Sequence, residues 1–374
     1  MTEIILYETL TWPEVAALPR DLPLALPLGS LANPANLAAA LGHPPRIGLL
    51  PAVPFGWPGS GLTVPLPYLA AYVHNLLECL RQDGFTRLAV LLPEGLSLGL
   101  PANIERLIPG FSFLPFSLPA SALDKVILLP IGHTEQHGYH LPLSTDTLII
   151  EAIAQGTAQA APESAFALPA MPYGVSMHRR EFAGTLDAGG RAFEDFWLAV
   201  IDSLVARGFS RFYLLSGHGG NMSFLVNVVK YAGDRHPRLS GKRIFCATAF
   251  LHLSGPDGVA ALEKHRRSAI GGMGHACELE TALILHLRPD LAHMERAVDE
   301  TNFIATPSYY MDWIEGGALI ANPPWRDDTA TGAYGAGSLA TAEHGQIWLQ
   351  AAIDEKVQHV GEIQEQFWRR SQKK

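Results

Sequence analysis

The chain has little positive charge, few cysteines and few charged residues of any kind. Lysine and arginine total 27 against 36 aspartates and glutamates, a formal net charge of −9, and charged residues make up 17% of the 374 positions. So few cations could not neutralise a row of phosphates, which excludes nucleic acid as the expected partner. Three cysteines (Cys79, Cys246, Cys277) cannot build a disulfide framework and fit a reducing cytoplasm. No stretch approaches the roughly 18 uninterrupted apolar residues of a membrane span. The opening residues carry an early acid and no basic segment leading into an apolar core, so no signal peptide is read. These absences lead us to expect a cytoplasmic protein without a membrane partner. Neither a G-x-G-x-x-G nor a P-loop spacing occurs, so nucleotide binding has no motif to rest on.

What is present is a globular composition, 48% hydrophobic with 35 glycines and 28 prolines. The first 120 or so residues are rich in Leu and Pro but too apolar for a linker. They also share motifs with the segment from 129 to 216. Leu26-Pro-Leu-Gly-Ser30 matches Leu129-Pro-Ile-Gly-His133. Leu50-Pro-Ala-Val-Pro-Phe-Gly56 matches Leu168-Pro-Ala-Met-Pro-Tyr-Gly174. Asp83-Gly-Phe-Thr-Arg-Leu-Ala-Val-Leu-Leu92 matches Arg207-Gly-Phe-Ser-Arg-Phe-Tyr-Leu-Leu-Ser216. The shared order implies that residues 1–120 are a shortened, divergent copy of the front of a domain at 121–374.

Beyond residue 120 the pattern alternates. Strands are expected at 125–131, 166–171, 211–215 and 243–248. Helices are expected at 147–159 with Asp146 as N-cap, and at 191–206, 222–233, 278–287 and 341–368. Strand–helix alternation implies an α/β fold, a mainly parallel sheet between helical layers. In such sheets ligands bind beyond the carboxyl ends of the strands. The unusual polar residues cluster there, as Gly132-His-Thr-Glu-Gln-His-Gly-Tyr-His-Leu-Pro-Leu-Ser-Thr-Asp146, Ser216-Gly-His-Gly-Gly-Asn221 and Gly274-His-Ala-Cys-Glu-Leu-Glu-Thr281. Glu135, His137, Asp146 and His218 offer nitrogen and oxygen without thiolate, a set that suits zinc, manganese or iron. Two carboxylates with further ligands suffice for a two-metal site. His275 is placed for general acid–base work and Glu280, near a helix start, is a further candidate ligand. Glu278 reads as structural and Cys277 as a small buried residue.

At these motifs the sequence resembles the creatininase family over about residues 125–360. The Glu-Gln-His-Gly run, the Ser-Gly-His-Gly-Gly-Asn loop and His-Ala-x-Glu-x-Glu-Thr carry the resemblance together. Weaker matches are Tyr173-Gly-x-Ser176 and Phe182-x-Gly-Thr185. The resemblance implies a three-layer α/β/α domain with two divalent metal ions (Zn, Mn or Fe), often in a homo-oligomer, hydrolysing the C–N bond of a small cyclic or formyl amide. It implies Glu135, His137, Asp146 and His218 as metal ligands with Asp146 bridging, His275 as the catalytic histidine, and Ser176, His178, Arg179 and Asn221 near the substrate. In creatininase itself a glutamate two residues after the loop histidine ligates metal. That position is Gly220 here, so its role would pass to Glu280, which argues against creatinine as the substrate. A family histidine is replaced by Arg179, with His178 one place early, and Arg179-Arg180 could bind an anionic group. The alternatives are a metal hydrolase opening a cyclic ketone or lactone, and a non-catalytic small-molecule-binding protein that kept the fold. Residues 301–333, with Tyr309, Tyr310, Trp313 and Trp325, are expected to form a lid, a subunit contact or surface packing.

Overall fold

The computed structural model describes residues 2–29, 35–101, 103–107, 116–177, 181–314 and 316–373. In chain order the first part forms β1 (Glu3–Leu6), α1 (Trp12–Ala17), β2 (Leu24–Pro27), α2 (Ala35–Ala40), β3 (Arg46–Leu49), α3 (Leu66–Gln82), β4 (Leu88–Leu92) and β5 (Glu105–Leu107). The second part forms β6 (Val126–Ile131), α4 (Thr145–Ala160), β7 (Ala165–Ala167), α5 (Gly190–Ala206), β8 (Arg211–Ser216), α6 (Met222–Ser240), β9 (Phe245–Ala249), α7 (Pro256–His265), β10 (Met273–His275), α8 (Glu278–Leu287), β11 (Tyr334–Gly335) and α9 (Ala342–Ser371).

Two parallel sheets result, ordered β1-β3-β2-β4-β5 and β7-β6-β8-β9, with an antiparallel β10-β11 pair beside the second. The second sheet is covered on both faces, which is why β6 and β8 are unbroken buried runs rather than alternating ones. Val126, Leu128, Tyr213 and Leu215 face α4, α8 and α9. Ile127, Leu129, Ile131, Phe212 and Leu214 face the other way, into a core that also holds α3, α5 and the inner face of the first sheet. The expected α/β/α layering is therefore present. Among the described residues no helix is long and apolar enough to cross a membrane.

Local differences from the sequence expectation have physical causes. Asp146 is not an N-cap. The helix starts earlier, at Thr145 after Ser144, which places Asp146 in the first turn. Helix α6 runs through the exposed Gly233 and ends at Ser240, where Gly241 takes the left-handed conformation (φ 67°) that closes helices. The strand expected at 166–171 shortens to Ala165–Ala167, and Met171 only bridges to Ile131.

Candidate metal centre

The three polar clusters meet at the carboxyl ends of β6 and β8 and the start of α8. Among the described residues three groups have ligand atoms close enough to share an ion: His133, Glu135 and His218; Glu135, His137 and His275; and His137, Asp146 and Glu280. All seven side chains are buried. Successive residues of an extended chain alternate sides, so Glu135 and His137 point the same way after β6. Asp146 returns to them from the first turn of α4. The loop after β8 must pass hard against that turn. A Cβ on Gly217 would lie 2.4 Å from the Asp146 carbonyl oxygen, so only glycine fits.

Asp146 stands at the centre. Its Oδ1 lies 3.2 Å from His137 Nε2, and its Oδ2 lies 3.3 Å from His218 Nδ1. Glu135 Oε1 is 3.0 Å from the same His218 nitrogen, and Glu280 Oε1 is 3.8 Å from His137 Nε2. Glu280 is held by the helix it opens. It occupies the third position of α8, and its Oε2 accepts from the Cys277 amide at 3.4 Å, leaving Oε1 toward the cluster. Ala276, between His275 and this helix, sits at φ 49°, a conformation few side-chain-bearing residues adopt.

The backbone assigns the imidazole tautomers. A carbonyl oxygen can only accept, so His137 Nδ1 donates to the Glu135 carbonyl (3.1 Å) and His218 Nε2 donates to the Val175 carbonyl (3.0 Å). His275 Nε2 likewise donates to the Gln136 carbonyl at 2.7 Å. Each ring therefore turns its lone-pair nitrogen toward carboxylate oxygens: His137 toward Asp146 and Glu280, His218 toward Glu135 and Asp146. Lone pairs facing anions in a buried site repel unless a cation lies between them. A proton serves that role without metal. Burial alone would lower both pKa values, but Asp146 with Glu280 raises His137 to about 10, and Glu135 with Asp146 raises His218 to about 9. Burial would raise the Asp146 pKa, yet His137 and His218 hold it below the usual carboxylate range. The donor set fits divalent metal ions with nitrogen and oxygen ligands.

His133 was missed by sequence reasoning, although the alternation that pairs Glu135 with His137 puts it on the same side. Its ring stacks on His218 with centroids 4.5 Å apart, and its Nε2 is 3.8 Å from Glu135 Oε2. The Gly174 amide donates to His133 Nδ1 at 2.8 Å, which leaves the hydrogen on Nε2. In this tautomer His133 is a donor aimed at Glu135, not a ligand. Removing such a partner typically weakens metal binding by about 10–100-fold. His133→Ala should therefore show that loss in competition with a chromogenic chelator, and unchanged affinity would remove His133 from the site. His252, after β9, was also missed; it is buried, its ring lies 5.3 Å from that of Trp313, and burial pushes its pKa down to about 3.

The residues expected near substrate fare differently. Ser176 Oγ is buried and donates to Glu135 Oε2 at 2.9 Å, so it positions a carboxylate. The Asn221 amide is buried, its Oδ1 accepting from Val175 N at 2.9 Å and its Nδ2 directed at Gly132 O and Ser216 Oγ, a bracket between loops. His178 and Arg179 lie outside the described residues. Glu278 accepts from the Arg267 and Ser268 amides, the structural role expected of it, and Cys277 is buried with its thiol pKa raised. Trp325, from the aromatic segment, is buried with its ring edge-on to His275 at 5.9 Å.

Comparison with known proteins agrees on one relationship. The family model described as "Creatinine amidohydrolase" matches residues 119–360. The mycofactocin precursor peptide peptidase of Mycobacterium tuberculosis is 30% identical over 242 residues, 63% of this chain and 84% of that protein. The creatinine amidohydrolase of Pseudomonas putida is 28% identical over 240 residues, 62% of this chain and 87% of that protein. A solved creatininase structure with manganese superposes with a TM-score of 0.55 at 26% identity, covering 66% of this chain and 93% of that one.

Proposed function

This chain belongs to the creatininase family of hydrolases, and from that premise we propose that it is a two-metal amidohydrolase cleaving the C–N bond of a small cyclic or formyl amide. The observation that carries this reading is Asp146, whose two oxygens face two separate ligand sets. Glu135, Asp146 and His218 would hold one ion. His137, Asp146 and Glu280 would hold the other. When bound, such a pair supplies Lewis-acid polarisation of a carbonyl and a water acidic enough to attack near neutral pH.

The protein's own groups do the rest. Ser176 and His133 orient Glu135 from two sides. The Glu135, Gln136 and Val175 carbonyls keep the imidazoles in the tautomers they need. His275 carries its hydrogen on Nε2, so Nδ1, 3.8 Å from Glu135 Oε1, is the atom that accepts a proton during attack and returns it to the departing nitrogen. The nearby Trp325 ring excludes water on one side of that histidine. Creatinine is argued against by Gly220, where a Cβ would lie 2.4 Å from both His218 Nε2 and the Val175 carbonyl. A glutamate there would break the bond that orients His218.

The test is metal content by plasma mass spectrometry on protein purified without chelator. We expect about two ions per chain, falling in His218→Ala. Apparent affinity should climb with pH, because metal must displace the protons that His218 holds to about 9 and His137 to about 10. No uptake of zinc or manganese at any pH between 6 and 10 would refute the two-metal reading.

A further inference from the structure

The two parallel sheets are built alike. Without β1, the first sheet runs β3-β2-β4-β5, the order of β7-β6-β8-β9. The pairing register also agrees: Leu26 lies opposite Val90, and Leu129 opposite Leu214. Past the strand ends the Gly29 amide donates to the Val53 carbonyl, as Gly132 does to Met171, and Val53 donates to Pro27 as Met171 does to Pro130. Helices α3 and α5 each have 17 residues. Each is followed two residues on by a glycine at positive φ, Gly84 at 92° and Gly208 at 99°. The next residue, Phe85 or Phe209, is buried with its amide on Leu80 or Leu204.

These counterparts also touch one another. Tyr72 and Phe196, the seventh residues of α3 and α5, pack at 4.8 Å between ring centroids. Cys79 and Ser203 hold the same later position in their helices, and Asp187 and Thr63 each lie three residues before a helix. The Cys79 thiol donates to the Asp187 carbonyl, and the Ser203 hydroxyl donates to the Thr63 carbonyl. Phe55 stacks on Phe196, while its counterpart Tyr173 accepts at its carbonyl from Tyr72 Oη at 2.5 Å. Residue i of one unit meets j of the other, and j meets i. That reciprocity marks a two-fold, isologous interface.

Among the described residues, the groups able to share a metal ion all lie in the second part of the chain. Pro93–Glu94 follows β4 where Gly217–His218 follows β8. The first unit nonetheless reaches the metal centre. The Glu8 and Leu10 carbonyls accept from the Ser144 and Leu143 amides at 3.0 and 2.9 Å, in the loop that leads to Asp146. Trp12 Nε1 donates to the Thr331 carbonyl at 2.8 Å, and its ring packs on Tyr139 and Phe182. Trp12 and Tyr139 line a 640 Å³ groove with Arg296, which pairs with Glu14.

We propose that residues 3–107 are a chemically emptied second copy of the frame at 126–249, retained as a built-in partner subunit that covers the α5 face and braces the Asp146 loop. The bracing part rests on the two-metal reading above. The copy acts as a permanent subunit would, at an effective concentration no separate chain could match.

The test uses the full chain with a specific protease site inserted between Leu118 and Pro119, folded, metal-loaded and then cut. We expect light scattering to find the two pieces together, one to one. Urea should release metal, read with a zinc indicator, at a midpoint that falls by a few tenths of a molar for each tenfold dilution of the cut protein and stays constant for the uncut chain. A midpoint identical in cut and uncut protein, or pieces that separate while 119–374 keeps its metal, would overturn the proposal. If the insertion prevents folding, the unmodified chain decides. Metal release and loss of hydrogen-exchange protection in α3 should coincide in urea, and metal retained after α3 has opened overturns the bracing role. A chain that never binds metal refutes the two-metal reading, and the association of the cut pieces then decides the subunit proposal alone.

Discussion

Asp146→Ala is expected to empty both metal positions at once, whereas Glu280→Ala and Glu135→Ala should each weaken one. The reason is geometric. Among the described residues only Asp146 presents one oxygen to His137 and the other to His218. Its removal also leaves two buried imidazoles without the carboxylate they share. Metal content should fall from about two ions per chain to below about 0.2, and turnover by on the order of 10⁴-fold, since both the Lewis acid and the acidic water are lost. Asp146→Asn separates charge from shape: it keeps the volume and should still lose metal. A single ion retained in Asp146→Ala would mean that the carboxylate does not bridge.

His275→Ala should do the opposite, keeping the metal while losing turnover. A positioned acid–base group contributes roughly 10²–10⁴-fold. The loss should fall on kcat rather than KM, and metal content should stay within error of wild type. The variant also removes the bond from His275 Nε2 to the Gln136 carbonyl, so His275→Gln is the companion that can keep a donor there. Loss of metal in both variants would make His275 a ligand, an arrangement its position within the Glu135–His137–His275 group allows.

Much of this centre was legible in the chain. Carboxylate–x–imidazole in an extended loop places Glu135 and His137 together because strand periodicity is two. Glycine on both sides of His218 announces close backbone approach. Glu280, five residues after His275 in the first turn of an expected helix, could be placed at the same cleft. His133 could have been found by the same alternation, but a histidine two places before a candidate ligand has no role until its tautomer is known. That tautomer depends on the Gly174 amide, 41 residues away. For Asn221, only the packing reveals that its amide binds the Val175 backbone.

The division between sequence and tertiary structure follows the range of the forces involved. Period-two and period-3.6 patterns, apolar runs and glycine stops act within a few residues. They suffice for the α/β layering and for the strand ends where the candidate ligands lie. The sequence by itself thus determined most of the elements, most of the candidate ligand set and the motif similarity between residues 26–92 and 129–216. The tertiary structure alone decided how Asp146 divides its oxygens, which nitrogen of each imidazole faces the carboxylates, and that α3 lies against α5 in a reciprocal contact. Those outcomes depend on hydrogen bonds and side-chain packing between residues far apart in the chain, and no local periodicity records them.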